Sequence, residues 1–275
     1  GRTITQEIYM GEFPRMTEGG TFIISGVERA VVSQLLRSEG IYFSQDSDPV
    51  TGTPLASARI LPKNGAWLEF GTARQHYLTV KISNYRKMAA TTILRAFGLT
   101  RDEEIRAAFA DVSTDPHRPF IEETLKKDPT KSYEEAILEV FSRVRPGEPA
   151  LFETAKLNFE RIFLDPRRYD LGKAGRFKLN QNLGLNFSLD ERRYRLLTKE
   201  DLVAAVRGMI ELNQGIGEPT EVDHLGNRRV RTVGELIQAQ LRIGFIQMGR
   251  VVKERMSLQA RERLPKPSQL ISIRP

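Results

Sequence analysis

From about residue 89 onward the chain repeats one local device four times, and this limits its fold more than any other feature. A Ser or Thr is followed three residues later by an acid and then by a periodic apolar stretch: Thr100/Glu103, Ser132/Glu135, Thr198/Asp201 and Thr232/Glu235. The hydroxyl can accept from the free N–H groups of a first helical turn, while the acid complements that turn's positive end. After Ser132, the residues Ala136, Ile137, Val140 and Phe141 form one stripe, and Arg145-Pro146-Gly147 stops the helix. After Thr232, Leu236, Leu241, Ile243, Phe245, Ile246, Val251 and Val252 predict a long helix to about Leu258, followed by an extended, Pro-containing tail from Leu264.

The first third follows a different period. Glu7–Met10 and Thr21–Ile24 flank Glu18-Gly19-Gly20 and predict a hairpin. Ala56–Leu61, Trp67–Phe70 and Tyr77–Ile82 alternate as strands do, with Lys63-Asn64-Gly65 as the turn between the first two. Residues 45–54, rich in Asp, Pro, Gly and Thr, read as an exposed loop, and Ala30–Leu36 fits strand or helix equally. The fold class expected is α+β, with a sheet-rich opening, a helical middle and a long helix near the end.

The net charge of +7 leaves open whether the chain is merely basic or meets a polyanion. Clustering favours the polyanion: arginines gather in Arg167-Arg168-Tyr169, Arg192-Arg193-Tyr194-Arg195 and Arg228-Arg229-Val230-Arg231, and the first two set arginine beside tyrosine, which suits phosphate clamping and base stacking. The absence of Cys excludes a disulfide framework, a thiolate zinc site and a Cys nucleophile, and is compatible with the cytoplasm. His76, His117 and His224 are far apart, without metal-ligand spacing, and no nucleophile-elbow or phosphate-loop motif is present. Asp223-His224 is the one tempting acid/base pair, although adjacent residues seldom orient each other as a dyad requires. No apolar run is long enough for a membrane span. The opening Gly1-Arg2-Thr3, without Met, reads as an excised or processed piece.

Four stretches in order resemble the β subunit of bacterial RNA polymerase. Tyr9–Thr17, continuing through Gly20–Gly26 to Val32-Ser33-Gln34 and Arg37-Ser38, is similar to the closing part of the protrusion domain. Arg145-Pro146-Gly147-Glu148-Pro149 resembles the gate loop of the lobe, and Arg168-Tyr169-Asp170-Leu171 with Gly175-Arg176 a further lobe motif. The longest signature is Asp223–Glu235, followed by Lys253-Glu254-Arg255-Met256. The resemblance implies a helix-rich lobe at residues 38–222. It implies that a partial mixed α/β protrusion flanks the lobe, made of residues 1–37 and of 223–275 with the long helix. Glu39 departs from the family, which often has Pro after Arg-Ser, and the chain stops at Leu270–Pro275, before the main rifamycin cluster and the catalytic residues.

On this resemblance the chain forms a jaw that holds downstream DNA and the non-template strand. Arg37, Asp223 and Arg228 correspond to a pocket for an unstacked guanine: a carboxylate can accept from guanine N1–H and N2–H, and arginine can donate to O6 or clamp phosphate. Taken by spacing alone, Asp223 and Arg228 better suit a pair that merely braces a loop, and it is the resemblance that reverses this preference. Trp67 matches a base-stacking residue; tryptophan on a strand is usually core, but the flanking glycine and turn favour exposure. Arg86, Lys87 and Arg176 match phosphate contacts, while Arg145, Pro146 and Gly147 match a surface for the opposite jaw or an elongation factor. Val32 and Gln34 match positions bordering the rifamycin pocket. The implied partners are DNA, the other polymerase subunits, sigma and elongation factors. No catalytic residue, metal or cofactor is expected in this chain, since the parent enzyme's magnesium is held by another subunit. Two other readings stay open: a docking module for sigma or elongation factors, and an unrelated enzyme using Asp223 and His224.

Overall fold

The computed structural model describes residues 3–258 and 265–272, so Gly1, Arg2 and Ile273–Pro275 of the two chain ends lie outside the described residues. The chain divides into two compact units: one of residues 1–36 with 228–275, the other of residues 37–227.

In the first unit, β1 (Phe22–Ile24) pairs antiparallel with β2 (Val27–Arg29). The hairpin forms one turn later than the sequence suggested. Ser25 and Gly26 both have positive φ (52° and 78°), the backbone that a two-residue hairpin turn requires. The expected turn at Thr17–Gly20 does exist, closed by Gly20 N–H donating to Thr17 O at 3.0 Å, but it supports only a single bridge, Met16 to Phe22. Glu7–Met10 forms no strand. The undecided stretch before Arg37 ends in β3 (Gln34–Arg37), whose first three residues belong to this unit and which pairs with a later strand at Arg228–Arg231.

The second unit is built on a five-stranded antiparallel meander: β4 (Gly40–Ser47), β5 (Pro54–Leu61), β6 (Leu68–Thr72), β7 (Leu78–Ile82) and β8 (Met88–Ala89), each paired with the next in sequence. The alternation read in the sequence is borne out: Ala56, Ala58, Ile60, Leu68, Phe70, Leu78, Val80 and Ile82 all point into the core. The expected loop at 45–54 is shorter than its composition implied. β4 runs on to Ser47 opposite Pro54, and Asp48 is buried, its carboxylate accepting from Val50 N–H at 3.0 Å.

Helices cover the sheet: α1 (Ala90–Ala96), α2 (Asp102–Phe109), α3 (Phe120–Lys127), α4 (Tyr133–Val144), α5 (Phe152–Phe163), α6 (Gly172–Leu183) and α7 (Lys199–Asn213). α6 packs on β4, α7 on β4 and β5, and α1 and α3 on β7. Asn213, at the end of α7, accepts from Ala56 N–H at 2.9 Å and donates to Thr72 Oγ1 at 2.7 Å, which ties the helix to two strands. A buried carboxylate, Asp128, collects the hydroxyls of Thr91, Thr92 and Thr130 at 2.5, 3.0 and 2.7 Å, with Arg95 Nε at 3.4 Å.

Two of the four caps form as read. Ser132 Oγ accepts from Glu135 N–H at 3.2 Å while Glu135 accepts from Lys131 N–H at 2.6 Å, and Thr198 and Asp201 satisfy each other's backbone amides. The first is displaced: α2 starts at Asp102, and it is Glu104, not Glu103, that takes the amides of Thr100 and Arg101 at 2.9 and 3.3 Å. Ser132→Ala is expected to lower the unfolding free energy by about 1 kcal/mol. Urea denaturation would measure this, and no change at all would contradict the capping role.

The chain then returns through β9 (Arg228–Arg231) to α8 (Val233–Leu258), the long helix expected. Glu235, the acid of the fourth expected cap, receives both terminal nitrogens of Arg229 at 2.7 and 2.8 Å. The tail is not wholly extended: Pro267–Leu270 forms a helical turn, α9, while residues 259–264 lie outside the described ones.

Candidate nucleic-acid interface

Antiparallel pairing decides which residues share an end of the meander. Gly40 faces Leu61, Ile60 faces Leu68, and Leu68 faces Ile82, so the start of β4, the β5–β6 loop and the β7–β8 turn lie at one rim. Trp67 precedes β6 there, and its carbonyl accepts from Ser83 N–H at 2.9 Å, which brings it against the turn that carries Tyr85, Arg86 and Lys87. Trp67 is 41% exposed and Tyr85 43%, so neither ring belongs to the core, and Arg86 and Lys87 are exposed.

Gly65 sets the path into Trp67. Its φ of +120° is one that L side chains rarely adopt, and a Cβ there would stand 2.8 Å from the Tyr169 ring and 3.0 Å from Arg168 O. Next to it, Asn64 and Asp170 exchange backbone hydrogen bonds at 3.0 and 2.8 Å. The 168–171 motif is therefore architecture. Tyr169 and Leu171 are fully buried, and Asp170 accepts Arg195 Nε at 2.9 Å and Gly172 N–H at 2.7 Å. Burial, with the Asp201 charge nearby, pushes the Tyr169 hydroxyl well above the ordinary tyrosine range, so it stays neutral.

Arg176 requires a correction. Sequence matching set it against phosphate, but it is fully buried. Its two terminal nitrogens meet Asp201 at 2.5 and 2.9 Å, one of them also donates to Leu196 O at 2.8 Å, and Nε donates to Tyr194 O. With no exposed donor left, it braces α6 against α7 and offers nothing to a phosphate at the surface. The tyrosines beside the arginine clusters are committed likewise: Tyr194 stacks on Phe187 at 4.7 Å, with Arg193 over the Tyr194 ring at 4.6 Å and Arg176 over Phe187 at 5.2 Å. Asp201 had been read only as a cap; the single hint of its second role was that it sits where a longer acid is usual.

The other expected residues are placed as follows. Arg37 and Asp223 belong to the larger unit and are exposed, with the Arg37 guanidinium over the Tyr42 ring at 5.3 Å; Arg228 belongs to the smaller unit, in β9. Arg145, Pro146 and Gly147 form an exposed turn between α4 and α5, where Arg145 meets Glu148 at 3.1 Å and Gly147 has φ +88°. Val32 is 78% exposed and Gln34 is exposed at the start of β3. His224 Nδ1 accepts from Gly226 N–H at 3.0 Å, a turn-forming bond that accounts for the ring without chemistry. Among the described residues no cluster of three or more His, Asp or Glu is placed to hold a metal ion, and no helix is long and apolar enough to cross a membrane.

This is the class of helix-backed antiparallel meanders with an aromatic and cationic rim. More particularly, the chain belongs to the family RNA polymerase Rpb2, domain 2, whose model matches residues 37–231. It is similar to the DNA-directed RNA polymerase subunit beta of Dehalococcoides mccartyi, 45% identical over 270 residues that cover 98% of this chain and 21% of that protein. It is also similar to the subunit of the same name from Chloroflexus aggregans, 42% identical over 304 residues, covering 100% of this chain and 24% of that one. The chain thus spans between a fifth and a quarter of the length of these relatives.

Proposed function

We propose that the chain is the lobe, with flanking protrusion segments, of an RNA polymerase β subunit, and that it holds DNA beside a catalytic centre carried elsewhere in a cytoplasmic nucleotidyltransferase. The observation that carries this reading is the sheet rim, where exposed Trp67 and Tyr85 adjoin exposed Arg86 and Lys87. An aromatic face accepts any base, and neighbouring cations hold the backbone of the same strand. In this reading Arg37 and Asp223 of the larger unit favour guanine, whose Watson–Crick edge gives a carboxylate two donors where adenine offers an acceptor. Val32 and Gln34 border the rifamycin site, the parent enzyme's magnesium belongs to another subunit, and this chain works with DNA and the remaining subunits.

Trp67 is the only tryptophan, so its fluorescence reports the rim directly. Titration with short single-stranded DNA at low salt is expected to quench it, more with a central guanine than with adenine. Arg86→Ala and Lys87→Ala are each expected to reduce the slope of log affinity against log salt by about 0.7, equally for both oligonucleotides. No quenching at all would instead favour docking of sigma or an elongation factor. That second reading draws on the exposed Arg145–Gly147 turn and on Leu151 beside it, 69% exposed.

A further inference from the structure

Lys178, on α6, has no part in any reading above, yet its ammonium joins two segments far apart in sequence. It donates to Ser38 Oγ at 2.5 Å, to Gly226 O at 2.7 Å and to Asn227 Oδ1 at 3.2 Å, one acceptor for each of its three protons. Ser38 directly follows Arg37, and Gly226 and Asn227 close the loop that carries Asp223. The same segments are bonded to each other, since Ser38 N–H donates to Asn227 O at 2.9 Å. The Tyr42 hydroxyl donates to Ser38 O at 2.7 Å and reaches Asn227 O at 3.2 Å. Within the loop, Asn227 Nδ2 donates to Glu221 O at 2.7 Å and Asn227 N–H to His224 O at 2.8 Å, so residues 221–227 form a closed turn with Asp223 on its exposed side.

We propose that Lys178 is a positioning residue for base readout: it latches the turn bearing Asp223 to the strand end bearing Arg37, and so sets the preference for guanine over adenine. This rests on the guanine reading of Arg37 and Asp223 given above.

Two neighbouring groups bear on the latch. Burial works against the Lys178 ammonium and holds it below the usual lysine range, with the Glu39 carboxylate opposing, so its three acceptors offset a desolvation cost. Burial likewise pushes the Tyr42 hydroxyl up, opposed by its Ser38 hydrogen bond and by Arg37, so it remains a donor to both carbonyls. Close packing also leaves the lysine stem little freedom, because a Cβ on Gly40 would stand 3.0 Å from Lys178 Cβ. Removing the ammonium leaves Gly226 O and Asn227 Oδ1 without this donor while the outer cationic rim of Arg86 and Lys87 is unchanged.

The test is Lys178→Met, which keeps the stem and deletes the donors, read in two ways on the whole chain. Hydrogen exchange of the amides in 221–227 is expected to quicken, with the strands of the meander unaffected. In Trp67 titrations, the guanine-to-adenine affinity ratio is expected to fall about fivefold, while affinity for the adenine oligonucleotide is kept. Unchanged exchange would overturn the latch. Faster exchange with an unchanged ratio, or an equal loss of affinity for both bases, would overturn the role in selection. A parent chain without base preference would sink the guanine reading, and the selection role with it. The exchange result would still decide separately whether Lys178 holds the turn.

Discussion

Asp201→Ala is expected to lower the unfolding free energy of the larger unit by about 3–5 kcal/mol, the largest effect of any single change proposed for this chain. The pair it breaks is fully buried on both sides, with Arg176 and Asp201 in contact at 2.5 and 2.9 Å. Without the carboxylate, a guanidinium is left charged inside the core, and arginine cannot escape by losing its proton. The same change removes the acid that caps α7 through Thr198 N–H at 2.9 Å. Denaturant unfolding followed by Trp67 fluorescence isolates the relevant unit, because that residue lies within it. A loss below about 1 kcal/mol would show that the pair is dispensable. The double replacement of Arg176 with Met and Asp201 with Leu should recover part of the stability, since an apolar pair needs no desolvation while Thr198 N–H and the Tyr194 and Leu196 carbonyls lose their partners in this pair.

Gly65→Ala comes second, at about 2–4 kcal/mol. Two independent penalties meet at this position: a backbone region that suits only glycine, and a Cβ that would press on Arg168 O, which is main chain and held by the neighbouring Asn64–Asp170 bridge. The change should also move Trp67, two residues on, and its emission and its quenching by DNA with it. Normal stability together with normal quenching would show that the loop tolerates a side chain and that Gly65 does not set the rim.

What the sequence disclosed followed from period and local chemistry. β5, β6 and β7 alternate because one face of each is buried, and Ser132 and Thr198 could be recognised because a cap is settled within four residues. β4 escaped notice because its polar second half faces solvent, so no alternation marks it. Arg176 was misplaced for a different reason. A cationic side chain reads as surface unless its partner is known, and Asp201 lies 25 residues away, already accounted for by its helix cap. Of the candidate rim, exposure at Trp67, Arg86 and Lys87 agrees with the expectation from family motifs. Lys178 carried no signal at all, because its three acceptors come from segments 48 to 140 residues distant.

The bond between Ser38 and Asn227 also has a mechanical meaning. The larger unit begins and ends beside these two residues, and β3 pairs with β9 just outside it, so tension arriving through the flanking chain meets that pairing first and then this backbone bond with the Lys178 contacts beside it. The strands of the meander lie off this line of force. A pull would therefore work first on the pairing and then on the clasp, leaving the sheet and the rim it carries unstretched for as long as the clasp holds.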